Sequence, residues 1–157
     1  MEYPQLIMVT GFRGARSLLN VIAHEVGHQW FYGMVGNNEA QEAWLDEGLT
    51  QYLTDEAVRK LFGLGGNPYT GFDSLIYPWE SSSWHDIYQY YQLAVHGYDE
   101  QLTIFHDWMR EDISASLVYY KGEAVVRMLE YMLGDSLFDA ALRHFVETWR
   151  YRHPTAR

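Results

Sequence analysis

Residues 24–52 read HEVGHQWFYGMVGNNEAQEAWLDEGLTQY, and this stretch carries two histidines and five acidic residues. Apolar residues recur at helical spacing over about 17–34, and a second helical pattern covers about 41–62. Gly36 and the two asparagines after it interrupt the pattern between the two segments. The stretch therefore predicts two helices joined by a turn.

The first predicted helix contains His24, Glu25 and His28 in the pattern His-Glu-x-x-His. Four residues of α-helix turn by about 400° and rise about 6 Å, so both imidazoles leave the same face one turn apart. That geometry is typical of two ligands of a tetrahedral zinc ion. Glu25 lies beside them, where its carboxylate can hold a water molecule. Such a short pattern also arises by chance in ordinary helices, and it needs a third ligand.

The third ligand must be a carboxylate or a histidine, because the chain contains no cysteine. Glu47 follows His28 after 18 intervening residues, a distance that lets a second helix return across the first. Glu39, Glu42 and Asp46 are the alternatives. Spacing alone does not choose among the four.

The rest of the chain predicts one strand and two more helices. Residues 5–10 (QLIMVT) are apolar and β-branched, as in a strand. A third helix is expected from about Ser116 to Gly134, a typical C′ glycine, and a fourth begins at Asp135 or Ser136. The fourth helix has one apolar stripe, which consists of Phe138, Ala141, Leu142, Phe145 and Trp149.

Two further segments are less regular. Residues 63–71 (GLGGNPYTG) predict a loop, and the aromatic residues within 72–112 predict short helices joined by turns. The sequence contains no repeat and no linker. Four long helices and one strand therefore predict a single, mainly helical unit.

Composition excludes some classes of partner. Hydrophobic residues make up 48% of the chain, which predicts a globular protein rather than a disordered one. A net charge of −10 argues against nucleic acid, whose binding needs a basic surface. No apolar run reaches the roughly 18 residues of a membrane-spanning segment. Neither the compartment nor the oligomeric state follows from the sequence.

Several motifs together resemble one family. The His-Glu-x-x-His pattern followed by WLDEG (44–48) is similar to the aminopeptidase-N-like, or gluzincin, zinc metallopeptidases, which include leukotriene hydrolase. HQWF (28–31) continues as the family's His-x-Trp run does, and YYKG (119–122) resembles its Tyr-x-Lys-Gly motif. MEYP (1–4) resembles the end of its Gly-x-Met-Glu-Asn motif, with Tyr3 in place of asparagine.

The resemblance implies a fold and a ligand set. The expected fold is mainly α within the α+β class: a thermolysin-like catalytic core with four long helices and an N-terminal edge strand. Residues 1–157 are expected to form a single partial domain, truncated at both ends. His24, His28 and Glu47 are implied to hold one Zn²⁺ per chain.

The resemblance also assigns roles in peptide hydrolysis. Glu25 is implied to act as general base towards a zinc-bound water. Tyr119 is implied to stabilise the oxyanion, and Tyr120 is the alternative if the motif is aligned one residue further on. Glu2 is implied to bind the free α-amino group of a peptide substrate. Gln51, or one of Thr54 and Asp55, is a candidate for orienting a ligand histidine.

The resemblance implies an aminopeptidase that hydrolyses the N-terminal peptide bond of a substrate with a free N-terminus. Two alternatives remain open from the residues. An endopeptidase would keep zinc and Glu25 but open the cleft. A catalytically incompetent, zinc-stabilised scaffold or partner-binding fragment would bind the ion without hydrolysis.

Overall fold

The computed structural model describes residues 1–9, 15–62, 82–104 and 108–156. Within these residues the fold is mainly helical, with one small antiparallel sheet of two strands. The strands are β1 (Glu2–Tyr3) and β2 (Leu6–Ile7). The helices are α1 (Ala15–Gly27), α2 (Glu39–Glu42), α3 (Trp44–Phe62), α4 (Ser82–Val95), α5 (Glu111–Ser116), a π-helical turn (Leu117–Lys121), α6 (Gly122–Leu133) and α7 (Asp135–Trp149).

The N-terminal strands form a hairpin rather than one strand over 5–10. Glu2 pairs with Ile7 and Tyr3 pairs with Leu6. Gln5 turns the chain between them with φ 63°. Only Leu6–Ile7 of the predicted segment is paired, because β1 offers just two residues as partners.

The first predicted helix is shorter than expected. α1 ends at Gly27, and the next residues form a tight turn in which Gly33 N donates to His28 O at 2.8 Å. Tyr32 has φ 103°, a left-handed conformation that cannot continue an α-helix. The turn ends the helix and places Phe31 and Val35 in the core.

The other helices follow the prediction with three differences. The second predicted helix is divided into α2 and α3, and the third begins earlier, with α5 and the π-helical turn preceding α6. Within 72–112, where short helices joined by turns are expected, Ser82–Val95 forms one longer helix, α4. Gly134 ends α6 with φ 75°, a conformation that glycine adopts readily, and α7 starts at Asp135 as expected. The predicted loop 63–71 lies outside the described residues.

α3 lies at the centre of the fold, packed against α1, α6 and the π-helical turn. Its Leu49 and Tyr52 enter the core. The apolar stripe of α7 packs on the same core, but Ala141 is exposed and Val146 takes its place. The core residues are Phe31, Val35, Leu49, Tyr52, Val126 and Phe138, with Leu142, Phe145, Val146 and Trp149 packed against them.

Two glycines let α3 and α6 come into backbone contact. A Cβ atom on Gly48 would lie 2.7 Å from the Cα atom of Gly122, closer than any side chain allows. This contact places Glu47 beside the π-helical turn that precedes Gly122. None of the helices in the described ranges combines the length and the apolar character that a membrane crossing requires.

Candidate metal centre

Three side chains converge where α1 meets α3. His24 Nε2 lies 3.0 Å from Glu47 Oε2 and 3.0 Å from His28 Nε2, and His28 Nε2 lies 3.2 Å from the same carboxylate oxygen. His24 lies on the last turn of α1, His28 directly follows that helix and donates its N–H to His24 O at 3.2 Å, and Glu47 comes from the first turn of α3. The three donor atoms therefore surround one point.

The donor set fits zinc. A tetrahedral ion about 2.1 Å from each ligand separates the ligand atoms by about 3.4 Å, close to the observed spacing. Two imidazole nitrogens and one carboxylate oxygen are the ligand types found in catalytic zinc sites with three protein ligands. The other acidic candidates from the sequence lie elsewhere: Glu42 accepts from Ala156 N at 2.8 Å, and Asp46 accepts from Glu47 N at 2.9 Å.

Hydrogen bonds orient one of the two histidines. His28 Nδ1 lies 3.1 Å from the carbonyl oxygen of Phe31 and 3.4 Å from Thr50 Oγ1. If the proton of the neutral imidazole is on Nδ1, Nε2 has the free lone pair that a metal ion requires. The turn after α1 thus supports the site directly. Sequence reasoning missed both partners, although Thr50 is three residues after Glu47 and lies on the same side of α3.

The residues expected to orient a ligand histidine have other partners. Gln51 Nε2 donates to Asp86 Oδ2 at 2.7 Å, and Thr54 Oγ1 donates to the carbonyl of Thr50 at 2.8 Å. Nδ1 of His24 is buried, with no hydrogen-bond partner in the part of the chain that is described.

Electrostatics keep the Glu47 carboxylate ionised. Burial acts to raise the pKa of Glu47, but hydrogen bonds from His24, His28 and Tyr119 outweigh it and lower this pKa to about 2. The pKa of His28 is raised, since the hydrogen bond and the charge of Glu47 outweigh burial. Burial and the charge of Glu47 raise the pKa of Asp46 to about 7. Of these neighbouring acids, Glu47 is the one suited to bind a cation at neutral pH.

Tyr119 reaches the same place from the π-helical turn. Its hydroxyl donates to Glu47 Oε1 at 2.6 Å, and its ring lies 5.6 Å from the ring of His24. Tyr120 turns away, with its ring 6.4 Å from the ring of His85. A π-helical turn holds an extra residue and changes which side chain faces a neighbour, and such turns are frequent at functional sites. Burial and the charge of Glu47 raise the pKa of Tyr119, so its hydroxyl keeps its proton.

Glu25 and Glu2 line the same cleft, whose volume is about 340 Å³. Glu25 is buried on α1, and Glu2 reaches the same cleft from β1.

Gln29 holds the hairpin against the end of α1. Its Oε1 atom accepts from Gln5 N at 2.8 Å, and its Nε2 atom donates to the carbonyl of Tyr3 at 3.1 Å. These two bonds place Glu2 at the cleft.

A larger groove of about 640 Å³ lies on another face of α1, between α3 and α7. Its walls are mostly apolar and include Val26, Trp30 and Leu142. None of the candidate metal ligands or catalytic residues lines it. The candidate metal ligands and catalytic residues instead share the smaller cleft.

Comparison with known proteins identifies the class. Residues 6–157 match the peptidase family M1 domain. The chain therefore belongs to peptidase family M1, a family of hydrolases. Glu2 lies just before the matched residues.

Individual relatives agree with this class. The chain is 28% identical over 97% of its length to leucine aminopeptidase 2-1 of Meyerozyma guilliermondii, covering 24% of that protein. It is 30% identical over 99% of its length to leukotriene A-4 hydrolase of Xenopus laevis, covering 25% of it. A leukotriene A-4 hydrolase homolog of Botryotinia fuckeliana is 28% identical over 96% of the chain, which covers 22% of that protein. The chain thus spans about a quarter of the length of these relatives.

Proposed function

We propose that this chain forms the thermolysin-like catalytic core of a zinc-dependent aminopeptidase, with one zinc ion held by His24, His28 and Glu47. The observation that carries the proposal is the convergence of three ligand atoms within 3.0–3.2 Å of one another. Two neutral imidazoles and one carboxylate leave an open fourth position at a tetrahedral ion, as catalytic zinc requires. The family match supports the same reaction class.

Glu25 is the proposed general base. When bound, zinc supplies a Lewis acid that acidifies water and polarises the scissile carbonyl. Glu25 accepts a proton from the attacking water as the new carbon–oxygen bond forms. It then delivers that proton to the amine nitrogen as the carbon–nitrogen bond breaks. Its position between the ligand histidines on α1 and its place in the cleft support this role.

Tyr119 is the proposed donor to the oxyanion. Its hydroxyl is next to Glu47 in the cleft, and its raised pKa keeps it a donor at neutral pH. A fixed donor at the place where negative charge develops stabilises the transition state more than the substrate.

Glu2 is the proposed partner of the substrate's α-ammonium group. It lines the same cleft as Glu25 and the proposed zinc ligands. A protonated amine leaving water needs a carboxylate partner. The names of relatives such as leucine aminopeptidase 2-1 support a substrate with a free N-terminus.

Zinc binding tests the ligand set without reference to activity. We expect the protein to bind one zinc ion per chain and His28→Ala to lose most of its zinc affinity in a chelator competition. His144→Ala is the matched control, because His144 is exposed on α7. Equal zinc affinity in His28→Ala and His144→Ala would exclude the proposed ligand set.

Hydrolysis tests the base and the substrate class. We expect the protein to cleave fluorogenic aminoacyl amides, and Glu25→Gln to lower kcat by about 10²–10⁴-fold with its zinc retained. Glu147→Gln, an exposed change on α7, should leave kcat unchanged. Equal cleavage of an acetyl-capped substrate would instead identify an endopeptidase. Zinc binding with no hydrolysis of either substrate would identify a scaffold.

A further inference from the structure

A second group of three side chains converges on the other side of α3. Asp55 of α3, Asp86 of α4 and Glu123 of α6 each place a carboxylate oxygen within 4.8 Å of the other two. Their exposed fractions are 3%, 5% and 0%, so water does not screen the three groups from one another. We call these three residues the acidic cluster.

Few positive charges offset the cluster. Arg127 Nε donates to Glu123 Oε1 at 3.1 Å, but the same guanidinium also pairs with Glu56 at 2.5 Å and with Glu130 at 3.2 Å. Arg59 also pairs with Glu56. The charged or titratable groups of α3, α4 and α6 that face the cluster or its arginine in the described residues are Tyr52, Asp55, Glu56, Arg59, His85, Asp86, Glu123, Arg127 and Glu130.

Asp86 has the best-satisfied carboxylate of the three. Gln51 Nε2 donates to its Oδ2 at 2.7 Å, and His85 Nδ1 lies 3.0 Å from its Oδ1. The hydrogen bond and the charge of Asp86 raise the pKa of His85. Both carboxylate oxygens of Asp86 thus have a partner outside the acidic cluster.

Asp55 and Glu123 are buried side by side, and their negative charges would repel each other. Two buried carboxylates at this distance repel each other strongly in a medium of low dielectric constant. Burial, and then the charges of Asp55 and Asp86, raise the pKa of Glu123 far above its usual range. Two carboxyl groups that share a site commonly hold one proton between them, because both cannot ionise.

We propose that Glu123 keeps a proton at neutral pH and donates it in a hydrogen bond to Asp55. This hydrogen bond would link α6 to α3 next to α4. Asp55 remains the carboxylate of the pair and Asp86 the anion bound to Gln51. A divalent cation is the alternative that could relieve the same repulsion. The guanidinium of Arg127 already contacts Glu123, and a second cation there would be repelled.

The pH dependence follows from the raised pKa. In the unfolded chain a glutamate loses its proton near pH 4.3. The folded protein keeps it, so this contribution to stability is complete below that pH and is lost as the pH rises towards the folded pKa. The free energy of unfolding is therefore expected to decrease as the pH becomes alkaline.

Gln51 lies one turn after Glu47 on α3 and donates a hydrogen bond to Asp86. This bond connects the acidic cluster to the helix that carries the candidate metal ligand Glu47.

Thermal unfolding between about pH 5 and pH 9 tests this proton. Glutamine donates an N–H where the protonated carboxyl donates its O–H, so Glu123→Gln should lose less stability than wild type as the pH rises. We expect the difference in Tm between the two proteins to change by about 3 °C or more across this range. Glu147→Gln should follow the wild-type curve. Parallel curves for wild type and Glu123→Gln would overturn the proposal.

Two further measurements keep the test decisive if Glu123→Gln folds poorly. At about pH 9, well above the pKa of about 7 of Asp46, infrared spectra of the wild-type chain should still contain a protonated carboxyl band that shifts in D₂O, and its absence would overturn the proposal. Excess calcium or magnesium should leave the wild-type Tm unchanged. A rise in Tm with either ion that Asp55→Asn abolishes would show a cation in place of the proton. These measurements read stability and protonation, so their outcome is independent of hydrolysis.

Discussion

The candidate metal centre and the acidic cluster each include one residue of α3, Glu47 in the first and Asp55 in the second. In each group, three ligand-type side chains place one ligand atom apiece within 4.8 Å of the other two. The metal centre combines two imidazoles with one carboxylate, whereas the acidic cluster combines three carboxylates. Each contains a glutamate that is largely buried, Glu47 in the first and Glu123 in the second. Their pKa values nevertheless move in opposite directions, down to about 2 for Glu47 and upward for Glu123.

The difference teaches that burial alone does not decide the charge of a carboxyl group. Burial raises the pKa of both glutamates. Glu47 lies within hydrogen-bonding distance of His24, His28 and Tyr119, and these contacts favour its anion. Glu123 faces Asp55 and Asp86, which favour its acid. The first arrangement is suited to bind a cation and the second to keep a proton.

Removing Arg127 should break the acidic cluster most severely. Its side chain is 17% exposed and contacts Glu56, Glu123 and Glu130. Arg127→Met therefore leaves the carboxylates of Glu56 and Glu130 without this cation and removes the donor to Glu123. We expect a loss of about 3–5 kcal/mol in the free energy of unfolding, measured by urea titration. Arg143→Met is the control, because Arg143 is 78% exposed and its pair with Asp139 is 4.0 Å long. Equal losses in the two variants would contradict the comparison.

Tyr119→Phe should alter the metal centre and leave the acidic cluster intact. The change removes the hydroxyl that donates to Glu47 Oε1. We expect kcat to fall by about 10²–10³-fold, with zinc content and the pH dependence of Tm unchanged. Tyr120→Phe is the matched control, because its ring faces His85. A larger loss of kcat in Tyr120→Phe would reverse the assignment of the two tyrosines.

Gly48→Ala should affect both regions by a smaller amount. A methyl group there would meet the backbone of Gly122 at 2.7 Å and push α3 away from α6. We expect a loss of about 1–3 kcal/mol in the free energy of unfolding, as for other overpacked sites. Zinc affinity should fall with it, since Glu47 is next to the substituted residue. Wild-type stability and zinc affinity in this variant would show that the two regions do not depend on the contact.

The metal centre was predictable because much of its geometry is local. The His-Glu-x-x-His pattern fixes two side chains on one face of α1 whatever the rest of the fold does. Glu47 and Tyr119 needed more than spacing, since four acids and two tyrosines competed, and the resemblance to a family supplied the choice. The structure brings Glu47 to the histidines and Tyr119 to Glu47.

The acidic cluster could not be read from the sequence, because its members are 31 and 37 positions apart along the chain. Asp86 belongs to α4, where aromatic residues on several faces hide the helical period. Glu123 directly follows the YYKG motif and looks like an ordinary first-turn acid. The turn that follows α1 is also joined to a distant part of the chain, through the bridge between Val35 and Arg152.

The π-helical turn has a consequence for comparing proteins of this kind. It stores one surplus residue between α5 and α6, so losing a single amino acid within Leu117–Lys121 would leave an unbroken α-helix. The helical segments on either side would keep their orientation, and only the side chains within the former π-helical turn would change position. A relative shortened at this point would align almost perfectly with this chain, yet present a different side chain to the carboxylate of its third ligand.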